Sequence, residues 1–194
     1  MKLSNAAIVR SGLVLSRKQA RGLSEIRYPL LNLRSINANG YIDLEQTDMF
    51  DSTEHLSPEY LSQVGDIIIR LTAPYTAVLI DNKTSGMVVS SNFVIVRPDK
   101  KFFLPEYLYW LFNTTKIKRD IFEKSSSNML SAVNAKYFSD LDIMDISISK
   151  QNTIAKINEL SIRESKLLKQ LAEAKALYHT ITLNQLYNEI RRGN

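Results

Sequence analysis

A chain of 194 residues, 44% of them hydrophobic, with no cysteine and a formal net charge of +5, has enough apolar material for one full domain plus an appendage. It excludes disulfides and cysteine-ligated metal. No run reaches the roughly 18 uncharged apolar residues of a membrane span, and Arg10 interrupts the apolar stretch near the N-terminus, so the expectation is a soluble, cytoplasmic protein with no signal peptide and no membrane partner.

In chain order, residues 1–34 carry seven bases (Lys2, Arg10, Arg17, Lys18, Arg21, Arg27, Arg34) against one acid, Glu25. "YPLLNLRSINANGYIDLE" (28–45) predicts a strand, a turn at Asn39-Gly40 and a second strand, since both turn residues tolerate positive φ. Residues 41–66 carry seven acids (Asp43, Glu45, Asp48, Asp51, Glu54, Glu59, Asp66) and no Lys or Arg. Within them, "SPEYLSQVGD" predicts a short helical turn with Pro58 at its first position. Ile67-Ile68-Ile69 and Val78-Leu79-Ile80 predict two strands. The connection between them is polar, holding Arg70, Thr72, Pro74, Tyr75 and Thr76 where a plain turn would suffice. Val88-Val89 and Phe93-Val94-Ile95-Val96 predict another strand pair. Pro105 opens a helix expected to run through "PEYLYWLFNTTKIKRDIFEKS". A Ser/Asn loop ends it, and a short turn and a strand around Leu141–Ile148 follow. Residues 97–136 are positive again. Such alternating blocks predict a polarised surface with basic faces available for phosphate.

From Gln151 to Arg192 there is no Gly or Pro. With Ile157 at heptad position a, the a positions are Ile157, Glu164, Leu171 and Tyr178; the d positions are Leu160, Leu167, Ala174 and Ile181. Only Glu164 departs from apolar or aromatic character, so the segment reads as an amphipathic helix with a coiled-coil seam. A helix of about 40 residues spans roughly 60 Å, which outruns a domain whose radius of gyration is near 15 Å. Its stripe requires a covering helix, most simply from a second copy. A helical hairpin broken near His179-Thr180 and packed on itself is the alternative. The fold class is therefore α+β: a globular domain of mixed β-sheet and helices over 1–149, then a long coiled-coil helix over 150–194.

Catalytic constellations are sparse. The histidines are His55, in the acidic stretch, and His179, on the long helix. There is no Gly-rich phosphate loop and no HExxH, and 43–54 lacks the Gly and ligand spacing of a calcium loop. A metal-dependent hydrolase using the 43–54 carboxylates and His55 is the enzyme reading that remains. Loops suited to reading bases are better represented: Arg34, Asn37 and Asn39; Arg70, Thr72 and Tyr75; Lys124, Ser126, Asn128, Asn134, Lys136 and Tyr137. Arg can clamp guanine through two donors and Asn can clamp adenine through a donor and an acceptor. Lys, Ser and Thr suit phosphate, which sets position rather than sequence. Arg17, Lys18 and Lys83 complete the candidate DNA contacts. No metal site and no cofactor are expected.

The order of elements resembles the specificity (S) subunits of type I restriction–modification systems. The resemblance is carried by "YPLLNLRSINANGYID", "VGDIIIRLTAPYTAVLID", "SSNFVIVRPDKKFFLPEYLYWLFNT" and "SSSNMLSAVNAKYFSDLDIMDISISKQNTIAKINEL", the last with Gln151 and Ile154 in a Gln-x-x-Ile entry to the long helix. Departures are Ser125-Ser126-Ser127 where the family often has Gly-Ser or Gly-Thr, and "ISISKQ" in place of a Pro-rich helix entry. The chain holds one recognition domain and one helix where the family has two of each, so it resembles half an S subunit. The resemblance implies a non-catalytic DNA-binding subunit that directs a methyltransferase (M) subunit and, in some systems, a restriction (R) subunit. It also implies an antiparallel homodimer held by Ile157, Leu160, Leu167, Leu171, Ala174, Tyr178 and Ile181, reading a bipartite, interrupted site on double-stranded DNA. A truncated relic or decoy that pairs with a full S subunit is the rival within the family.

Overall fold

The computed structural model describes residues 1–22, 24–126 and 133–193. The chain divides into two compact units, residues 1–153 and 154–194.

In the first unit, β1 (Ala7–Ser11), β7 (Phe93–Pro98), β4 (Ile67–Arg70) and β5 (Ala77–Leu79) form a four-stranded antiparallel sheet in the order β1-β7-β4-β5. A second sheet has the order β3-β2-β6: β2 (Arg27–Leu31) pairs antiparallel with β3 (Asp48–Asp51) and parallel with β6 (Val88–Val89). The run Ile67-Ile68-Ile69 does not alternate because β4 is central and buried on both faces. On one face Ile68, Val78, Phe93 and Ile95 meet Leu31 and Val89 of the second sheet. The other face receives α1 (Pro105–Phe112), which packs on β4 and β5, while α3 (Ala135–Ser139) packs on β1. Phe112 and Phe138 join α1 to α3 edge to face, 6.0 Å between centroids. Gly12 lets β1 run on against the second sheet, since a Cβ there would lie 2.2 Å from the Ser90 carbonyl oxygen.

Four expectations need correction. Val88-Val89 and Phe93–Val96 are strands but not partners, because Leu13 and β2 draw β6 into the second sheet while β7 lies between β1 and β4. The helix opened by Pro105 stops at Phe112, and α2 (Thr115–Ser126) starts anew. At the break Asn113 turns its amide on the β5 backbone: Nδ2 donates to Ala77 O at 2.9 Å and Oδ1 accepts from Ala77 N at 3.2 Å. The expected strand at 141–148 reduces to a bridge between Lys2 and Asp142 and backbone bonds of Leu3 to Leu141 and of Ile143 to Met1. Similarly, the strand expected after Asn39-Gly40 begins only at Asp48; a bridge between Ile36 and Ile42 and a 3₁₀ turn at Leu44–Gln46 come first.

The last helix, α4, runs unbroken from Ile148 to Gly193, without the hairpin break near His179. Its first turn is anchored in the first unit by Gln151, which is fully buried. The Gln151 amide donates to Phe102 O at 2.8 Å and Ile146 O at 3.0 Å, and its oxygen accepts from Leu104 N at 2.8 Å. No described helix is long and apolar enough to cross a membrane.

Candidate nucleic-acid interface

The hairpin connection between β4 and β5 is held from both sides by its polar side chains. Arg70, the last residue of β4, donates from Nε to Thr72 Oγ1 at 2.8 Å and from Nη1 to Leu33 O at 3.2 Å. The guanidinium therefore ties this hairpin to the 33–41 loop. Tyr75 adopts a left-handed backbone, φ 55, and donates its N–H to Thr72 O at 2.9 Å. Its hydroxyl lies 2.8 Å from Ser125 Oγ, in the last turn of α2.

The 33–41 loop is built from short side chains that bond their own backbone. Asn32 Oδ1 accepts from Ser35 N at 2.9 Å and Asn37 Oδ1 from Asn39 N at 3.0 Å. Gly40 has φ 85 and receives the Tyr109 hydroxyl on its carbonyl at 3.1 Å; a Cβ here would lie 2.6 Å from that hydroxyl oxygen. Burial pushes the Tyr109 hydroxyl pKa up, favouring the neutral donor.

The third polar segment spans the end of α2 and the start of α3. Lys124 Nζ sits 4.8 Å from the centre of the Tyr137 ring. Asn134 caps α3, accepting from Tyr137 N at 3.2 Å. Lys124, Asn134, Lys136, Tyr137, Asp140, Leu141 and Asp142 line a surface groove of about 540 Å³. Desolvation, assisted by Asp120, raises the Tyr137 pKa. Asn128 and the side chain of Ser126 lie outside the described residues. Thus Arg70 to Leu33 and Tyr75 to Ser125 join the three sequence segments to one another as a polar rim. Ser125, Asn113 and Tyr109, which pin that rim, carry no local signal of the role in the sequence.

The other candidates lie elsewhere. Lys83 is exposed in the turn after β5, at the opposite end of the β4–β5 hairpin from Thr72 and Tyr75. Lys18 pairs with Glu54 at 2.5 Å, beyond the far end of β3 from Arg34, which pairs with Asp48 at its start. Arg17 is exposed beside Lys18 in a 3₁₀ turn.

The first two of the alternating charge blocks neutralise much of each other. The acidic stretch folds back on the basic one: Arg34 meets Asp48, Arg27 meets Asp51, Lys18 meets Glu54 and Arg10 meets Glu59. Arg97 clamps the buried Asp66 through Nε and Nη2, both at 2.7 Å. That hydrogen bonding raises the Arg97 pKa. Asp48 also accepts from Asn32 Nδ2 at 2.7 Å. Of the 43–54 carboxylates, Asp48, Asp51 and Glu54 turn to cationic partners and Asp43 accepts from Glu45 N, and among the described residues no three His, Asp or Glu side chains converge on a metal position.

The second unit presents its seam bare. Ile157, Leu160, Leu167, Leu171, Tyr178 and Ile181 are 47–66% exposed, and Ala174 is exposed. Leu160, Arg163, Glu164, Leu167, Leu168 and Leu171 line a groove of about 460 Å³ along it. Beyond Ile181 the apolar stripe moves to another face, carried by Leu183, Leu186, Tyr187 and Ile190 at helical spacing.

The architecture is a target-recognition-type α+β domain followed by a long helix. The solved structures that share it include the HsdS subunit from Thermoanaerobacter tengcongensis, with TM-score 0.66 and 18% identity over 90% of this chain and 44% of that one. A second, from work on complex assembly and conformational transition of the type I R-M system, matches with TM-score 0.63 and 17% identity over 90% and 44%. The chain thus spans less than half the length of these structural relatives. No protein-family model and no curated protein matches it.

Proposed function

We propose that this chain is a half-length specificity subunit of a type I restriction–modification system: a non-catalytic, sequence-specific binder of double-stranded DNA that works in the cytoplasm. The rim formed by Arg34, Asn37, Asn39, Arg70, Thr72, Tyr75, Lys124, Asn134 and Lys136 faces DNA, with Ser126 and Asn128 on the same segment. Arg17, Lys18 and Lys83 are outlying phosphate contacts. The carrying observation is the junction of three separate polar segments through Arg70 to Leu33 and Tyr75 to Ser125, on a fold shared with HsdS. Two copies pair antiparallel through the helix seam and read the two halves of an interrupted site. The α4 helix, with a rise of about 1.5 Å per residue, is long enough to serve as the spacer between half-sites about 34 Å apart. A methyltransferase subunit, with a nuclease subunit where the system has one, supplies the chemistry.

Selection from a library of duplexes with two randomised half-sites and a variable gap tests this. The expected result is enrichment of one interrupted sequence, with affinity falling steeply as salt rises. Equal binding to all duplexes counts against a specificity role. Equal binding, combined with loss of methylation when the chain is added to an intact complex, favours the decoy reading, to which the chain's coverage of less than half of HsdS is equally suited.

A further inference from the structure

The seam of α4 contains one residue that a coiled coil does not ordinarily place there, and its partner can be worked out. This inference rests on the antiparallel self-association proposed above and goes on to the residue that sets its orientation. In an antiparallel pair each a position packs against a d position of the other helix. A two-fold axis near Lys169 then makes four layers: Ile157 with the partner's Ile181, Leu160 with the partner's Tyr178, Glu164 with the partner's Ala174, and Leu167 with the partner's Leu171. All eight seam positions are used and none faces an empty layer. Glu164 meets the smallest side chain of the seam, and Lys175 follows Ala174 directly, so the carboxylate has both room and a cation.

A parallel, in-register pair gives a different layer. Glu164 then meets the partner's Glu164, two carboxylates in an otherwise apolar stripe, where like charges destabilise each other strongly because water is excluded. A single polar residue at an a position is a known device for fixing register and partner orientation. We infer that Glu164 sets the antiparallel orientation of this seam, with a second copy of this chain as its occupant and that copy's Lys175 as its ion-pair partner. The groove lined by Leu160, Arg163, Glu164, Leu167, Leu168 and Leu171 is the surface so filled.

The natural chain has no cysteine, so introduced thiols report orientation without background. Full-length Ile157→Cys and Ile181→Cys chains are mixed and oxidised. The expected product is a cross-link between the two different chains, with neither forming a disulfide to itself, since the seam ends lie about 36 Å apart in the antiparallel pair. Adding Glu164→Leu to both chains keeps the dimer mass in light scattering but allows like-to-like cross-links. In a second arm, Lys175→Glu weakens dimerisation about tenfold and Glu164→Lys with Lys175→Glu restores it, a coupling that a parallel pair cannot show because these positions lie about 16 Å apart along the axis. Like-to-like cross-links in the natural background, or an unchanged pattern after Glu164→Leu, overturn the inference while leaving self-association intact. A natural chain that stays monomeric at high concentration overturns both.

Discussion

Arg70 holds the β4–β5 connection in place and, under the proposed function, also reads DNA. Two of its donors hold Thr72 and the Leu33 carbonyl, and the remaining ones are available to a base edge. Arg70→Ala is expected to cost about 1–2 kcal/mol of stability, read by urea denaturation, and to change base preference in the duplex selection. Arg97→Met leaves the Asp66 carboxylate buried without its clamp, and a loss of about 3–5 kcal/mol is expected by the same denaturation. Asp81 gives a pH signature. Its pKa is lowered below its usual 3.8, first by the hydrogen bond from the Thr84 hydroxyl. A depressed carboxylate stabilises the fold above its unfolded pKa, and that contribution disappears as pH falls through the lower folded value. Thr84→Val should therefore lower the melting temperature at pH 6 more than at pH 2. The arginines and asparagines of the rim were legible in the sequence as residue types suited to DNA. Their acidic partners were not, because Arg34 finds Asp48 only through the register of β2 on β3, which residue counting along the chain does not contain.

Elements differ in how plainly their sequence announces them. Ile67–Ile69 and Phe93–Val96 are apolar runs and became strands; the partners they chose depended on tertiary contacts instead. The PEYLYWLF…IFEK segment has continuous helical periodicity, yet it breaks because Asn113 satisfies the backbone of Ala77. A side chain that bonds a strand so distant in sequence leaves no local trace. Gln151 makes the complementary case: its position at the helix entry was readable, but its three bonds inside the first unit were not. Gln151→Glu tests them. The new carboxylate would face the Phe102 and Ile146 carbonyl oxygens, where the natural amide donates. Repulsion and burial raise the pKa of that acid, so the variant is expected to be several kcal/mol less stable at neutral pH. It should regain stability as pH falls and the group protonates to a donor, which denaturation at pH 4.5 and pH 7.5 reads directly.

At the scale of the whole molecule, the net charge of +5 is less telling than its distribution. Much of the N-terminal basic block is spent on the acidic stretch that follows it. A single head engages one half-site only, so its binding should be weaker and less salt-dependent than that of a joined pair. Joining two heads makes the second engagement intramolecular, so affinity rises without any new contact. Leu167→Glu with Leu171→Glu places acids in the central layer of the seam, on the unit that carries no rim residue, and should yield monomers. On a duplex carrying both half-sites, that variant is expected to lose at least about a hundredfold in affinity. The slope of log affinity against log salt is expected to halve, because half the phosphate contacts are gone. On a duplex with one half-site, the natural chain and the variant should bind alike. If the variant keeps full affinity and slope on the double site, the two heads do not act together and the helix is no spacer.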